Sequence, residues 1–199
     1  MKNIEEQFKS RGSYASWYRY ESSQWQDAKD SWLYYLGHLG DTGSALLAFL
    51  RAYFDAFWWW GCYLDFDYCN QLIKEWRERE TSPAGREVLR CVHAFQASYP
   101  KETEDRRAPT WPMVDTALTR LLQLAGLQRE AAQLEDEEHR HIRALVDILL
   151  AEVQRFGYGE RERAARLYAE AGRLFEMDGD GWDLAWLLYH FADMNVERG

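Results

Sequence analysis

Residues 160–180 read ERERAARLYAEAGRLFEMDGD. Ala164, Tyr168 and Ala171 fall four and then three residues apart. On a helix that spacing sets two small side chains and one aromatic ring on a single face, where a neighbouring helix can approach closely. Gly179 follows the last periodic apolar residues, where a helix stop is expected. The stretch therefore predicts a helix that packs face-on against other helices.

Outward from it, apolar residues recur at the same spacing along almost the whole chain, and Val/Ile-rich alternating runs are scarce. Helices are predicted over 14–36, 44–60, 65–79, 84–98, 112–125, 128–156 with a break near Asp136, 160–177 and 181–198. The expected fold class is all-α. Pro83 and Pro112 stand where helices begin, and glycines 37, 40, 61, 126, 157, 159 and 179 stand where they end. The segment 99–111, YPKETEDRRAPTW, is charged, carries prolines near both ends and is too polar to pack, so it reads as a surface loop. Residues 1–199 are expected to form one helical-repeat domain, in which this loop would join sub-arrays 1–99 and 111–199. Short connections between long helices make antiparallel neighbours, and a series of such hairpins either closes into a bundle or stacks into a solenoid.

Composition narrows the function. Apolar residues make up 47% of the 199, and aromatics 16%, with four prolines, which argues for a dense interior. The net charge of −9 repels phosphates and anionic lipid, and no Lys/Arg run offers a local exception, so nucleic-acid partners are not expected. Cys62, Cys69 and Cys91 form no CxxC and no even set, which suits a reducing, cytoplasmic setting. The N-terminal residues lack the apolar stretch of a secretory signal. The stretch 45–64 has membrane-spanning length but carries Arg51 and Asp55, each costing about 2.5–3.5 kcal/mol inside a bilayer. Four residues apart on a helix, the two can pair along a water-facing stripe, so no membrane span is expected.

The aromatic run 52–66, AYFDAFWWWGCYLDF, contains Trp58, Trp59 and Trp60. Three successive helical residues span about 200° and cannot all face one groove, so at least one belongs to the core. Trp17, Trp25 and Trp32 form a matching stripe on the preceding helix. These six rings read mainly as interlocked packing.

Internal similarity accompanies the periodicity. Segments 142–157, IRALVDILLAEVQRFG, and 184–199, LAWLLYHFADMNVERG, align on their final glycines, 42 residues apart. Leu145 then falls on Leu187, Leu149 on Phe191 and Arg155 on Glu197, and a third copy can be drawn at 45–61. From about residue 138 to 199 the chain resembles tetratricopeptide repeats, in the long-period form found as sensor arrays of STAND-type signalling NTPases. Ala164, Tyr168 and Ala171 match the small–aromatic–small pattern of the second repeat helix, and Ala192 matches the small residue of the first. The resemblance is looser over 46–76 and absent over 80–137. It implies a TPR-like α-α superhelix of stacked antiparallel hairpins. It also implies a non-enzymatic module whose groove recognises a protein, a peptide or a small-molecule inducer and signals to an attached NTPase. The groove positions it implies are Arg51, Asp55, Asp147, Trp186, Tyr189 and Asp193. Because the sequence stops on a first-type helix, it is expected to be a fragment of a longer protein or an array closed by another chain, with an exposed final face that would favour a homodimer.

Catalytic motifs are weak. Asp41-Thr42-Gly43-Ser44 spells an aspartic-protease signature once only, ahead of a helix that it can cap. Glu138 and His141 form a single E-x-x-H, the unit that di-iron bundles use in pairs, and give the alternative of a helical-bundle metal or cofactor protein. A solvated charged face explains them more simply, and no metal or cofactor is expected. Residues 178–183, DGDGWD, superficially resemble a calcium loop, but Tyr189 stands where the bidentate Glu belongs; a tight turn and helix cap are expected instead. There is no P-loop, no G-x-G-x-x-G, and no nucleophile set beside a base.

Overall fold

The computed structural model describes residues 22–38, 42–61, 67–79, 82–100, 108–128, 134 and 136–196. Among them are eight α-helices and no strand, so the fold is all-α. They are α1 Ser23–His38, α2 Thr42–Ala56, α3 Asp67–Arg79, α4 Pro83–Ser98, α5 Trp111–Leu124, α6 Glu137–Glu152, α7 Arg161–Asp178 and α8 Gly181–Val196. Two helices run on into π-helical turns, α2 through Phe57–Gly61 and α6 through Val153–Tyr158. The chain divides into two compact units, Met1–Glu80 and Thr81–Gly199. Segment 99–111, the expected joint between sub-arrays, falls inside the second unit, and its residues 101–107 lie outside the described ones.

In the first unit α1 packs on α2 and α2 on α3. The middle of α2 is buried around most of its circumference: Phe49, Leu50, Ala52, Tyr53, Phe54, Asp55 and Ala56 are all buried, as are Phe57, Trp58 and Trp59 after them. A π turn rotates successive residues by about 80° rather than 100°, which lets neighbouring rings of the run share one apolar side. Trp76 of α3 stacks on Phe49 with ring centroids 5.0 Å apart. Trp25 is buried, while Trp32 is half-exposed beneath the Lys29 ammonium, 4.4 Å from the ring centre. The packing reading thus holds for Trp25, Trp58 and Trp59. Trp17, Asp41, Cys62 and the side chain of Trp60 lie outside the described residues. No described helix is long and apolar enough to cross a membrane.

In the second unit α4 packs on α5, α6 on α7 and α7 on α8. Ser82 caps α4, its Oγ accepting from the Gly85 N–H at 3.0 Å with Pro83 in the first position, and Asp136 caps α6 through the His139 N–H at 2.8 Å. The expected break near Asp136 is therefore a helix start. Two residues connect α6 and its π turn to α7, and two more connect α7 to α8, so each helix folds back along the one before. The second of these turns holds Gly179 at φ +70°, a left-handed backbone that a side chain would strain. Ala164, Tyr168 and Ala171 are all fully buried, and the Tyr168 ring lies 6.0 Å from that of Phe191, as the opening stretch required. Leu145 and Leu187, equivalent in the glycine alignment, are both core residues.

Candidate functional site

The residues that the repeat resemblance assigned to a groove do not share one environment. On α2, Arg51 and Asp55 form the expected i,i+4 pair at 3.9 Å, but Asp55 is 7% exposed, so the pair sits at the edge of the core and not along a water-facing stripe. Only the Arg51 side chain, 29% exposed, reaches the surface there. Asp147 on α6 is wholly buried. Arg143 donates to both of its carboxylate oxygens at 2.9 Å and, through Nη1, to the Leu127 carbonyl at 2.7 Å. Asp147 therefore braces α6 against the turn after α5 and does not reach a ligand. Burial pushes its carboxyl up to about 6, although the Arg143 charge opposes the shift.

On α8 the picture differs. Asp183, Leu187 and Phe191, four residues apart, turn toward the helices beneath, Asp183 and Leu187 being buried and Phe191 half-buried. Ala185, Leu188, Tyr189 and Ala192 form the opposite face and are all exposed, Leu188 by 51% and Tyr189 by 65%. The Trp186 and Tyr189 rings stack with centroids 5.5 Å apart and planes 14° from parallel, and the His190 imidazole stands edge-on to both. Among the described residues the face is apolar and carries no formal charge, and ring stacking holds its shape. The side chain of Asp193 lies outside the described residues.

A second constellation lies at the α7–α8 turn. His141 of α6 is 3% exposed, packed edge-on against Phe175 of α7 with centroids 5.7 Å apart. Its Nδ1 is 3.7 Å from Oδ2 of Asp180, and the expected cap is present there, with Oδ1 of Asp180 accepting from the Asp183 N–H at 3.2 Å. One donor atom from each of His141, Asp180 and Asp183 lies within 4.8 Å of the others, a grouping able to hold a metal ion. Glu138 is not part of it, so of the E-x-x-H pair only the imidazole belongs to the grouping. The partners come from 39 and 42 residues away, which no local spacing reveals, although the DGDGWD run carried both aspartates. Beside them Arg140 holds Asp178, Nε to Oδ1 at 2.7 Å and Nη2 to Oδ1 at 2.6 Å.

The π turn after α6 gathers a third polar group. Glu152, Gln154 and Arg155 are buried, and Glu152 accepts from the Tyr99 hydroxyl. Trp111 stacks on Phe156 with centroids 6.1 Å apart and lies so close to Gly157 that an added Cβ would meet its Cβ at 2.6 Å.

Compared with family models, curated proteins and solved structures, the chain matches none.

Proposed function

We infer that the chain is a non-enzymatic binding module, a TPR-like array of helix hairpins that recognises a protein partner through α8. The observation that supports this best is the outward face of that helix. Ala185, Leu188, Tyr189 and Ala192 set two large side chains between two small ones at helical spacing, the profile that another helix or an extended apolar segment fits. Tyr189 stacks on Trp186, which narrows its rotamers and so lowers the entropy lost when it anchors a partner. The small–aromatic–small face of α7 beneath is consistent with a repeat. A role as the sensor of a STAND-type regulator in the cytoplasm, with a peptide or small-molecule inducer as the signal, rests on the resemblance of 138–199. A second copy of the chain is the competing occupant of the same face.

The test is comparative. The full chain and a Tyr189→Ala variant of equal helicity by circular dichroism are used to capture partners, and each captured protein is then purified and its affinity for both chains measured. Loss of at least tenfold in affinity on Tyr189→Ala is expected, as for a truncated aromatic anchor worth more than about 1.4 kcal/mol. Equal affinities for the two chains would sink the reading. A concentration-dependent dimer in sedimentation, abolished by the same substitution, would make the occupant a second copy.

A further inference from the structure

His141, Asp180 and Asp183 come from three places, the body of α6, the cap position of α8 and its first turn, yet their donor atoms fall within 4.8 Å of one another. The separation of 3.7 Å between His141 Nδ1 and Asp180 Oδ2 is longer than a hydrogen bond. Two donors on a tetrahedral ion with ligand bonds of about 2.1 Å stand roughly 3.4 Å apart, so small rotations of the carboxylates bring the set to coordination distance. The donors are also held. Oδ1 of Asp180 accepts the Asp183 N–H, which turns Oδ2 toward the imidazole, and the Phe175 edge fixes the imidazole plane. Asp178 next to the turn is met by Arg140, while Asp180 and Asp183 each bring a carboxylate to the grouping. One imidazole and two carboxylates suit a borderline ion; a magnesium or calcium site would use oxygen donors alone.

We propose that His141, Asp180 and Asp183 bind a divalent transition-metal ion of the zinc or cobalt class, with water completing its coordination. The ion ties α6 to the α7–α8 turn and so fixes the start of the helix that carries Trp186 and Tyr189.

The full chain, stripped with a chelator, is titrated with zinc by calorimetry, and with cobalt by absorption as a report on the donor set. One equivalent is expected to bind, with a rise in melting temperature. Asp180→Asn keeps a side chain that caps helices well and therefore keeps the fold. It should weaken zinc at least tenfold and abolish the cobalt spectrum, as should Asp183→Asn, whereas Glu138→Gln should bind as the wild type does. The proposal is overturned by the absence of saturable zinc binding, by wild-type affinity in Asp180→Asn, or by magnesium competing equally with zinc.

Discussion

Asp147 shows how far burial can carry a charged residue from the role its sequence position implies. The glycine alignment placed it on a ligand-facing surface, and a carboxylate in an amphipathic helix is ordinarily solvated. Here the carboxylate is wholly enclosed and both oxygens are taken by Arg143. Burial lifts its carboxyl from 3.8 to about 6, and burial beside Glu75 lifts Asp30 of α1 in the same way, against the hydrogen bonds from Tyr68 and Gln71. The consequence for stability has a definite sign. Between about pH 4 and pH 6 the folded chain keeps protons that the unfolded chain has already released, so stability falls as pH rises through that window and is level above it. A shift of that size corresponds to about 3 kcal/mol per group before solvent screening. Asp147→Asn should therefore make unfolding free energy fall less, or rise more, between pH 4 and pH 6, measured by urea titration at several pH values. An unchanged slope would mean that the carboxylate remains charged throughout.

Among the helices, the sequence was most legible where periodicity was long and uninterrupted. The expected span 160–177 differs from α7 by one residue at each end, and 84–98 from α4 by one at its start. What periodicity could not show was the π turns, because an extra residue in a turn shifts the apolar pattern without breaking it. Gly157 was read only as a helix stop. In the structure it lies within the π turn after α6, against the Cβ of Trp111, while Gly172 inside α7 faces the Leu184 and Leu187 methyls at 3.6 and 3.7 Å. The two glycines therefore predict opposite outcomes for the same change. Gly157→Ala drives a methyl into a ring at a distance that real side chains do not adopt, and should cost about 1–3 kcal/mol. Gly172→Ala meets ordinary contacts and gains helix propensity, so it should be neutral or stabilising by up to about 1 kcal/mol. Urea denaturation of both variants checks the contrast, and a larger loss at Gly172 would refute this account of the packing.

At the scale of the whole chain, helix content and helix order could be read from local spacing, whereas the division between Glu80 and Thr81 could not. The loop 99–111 was the most polar segment and so the most visible joint, but polarity marks exposure and does not mark where long-range packing stops. The metal-competent grouping escaped for a related reason: His141 and the two aspartates are brought together only when α7 returns along α6. All three nevertheless belong to the second unit, together with a core that includes Val88, Val92, Phe95, Val114, Leu118, Leu121, Ile142, Leu145, Tyr168 and Phe175. A chain of that length buries roughly two-thirds of its unfolded surface, enough for independent folding. The segment Thr81–Gly199, expressed alone, should then unfold in one cooperative transition with a urea slope of about 1–3 kcal/mol/M. Its zinc affinity should match that of the full chain, since His141, Asp180 and Asp183 all lie within it, as does Phe175 against the imidazole. A non-cooperative melt would show that the core of the second unit depends on residues before Thr81, and a cooperative melt with weakened zinc binding would show that the donor geometry does.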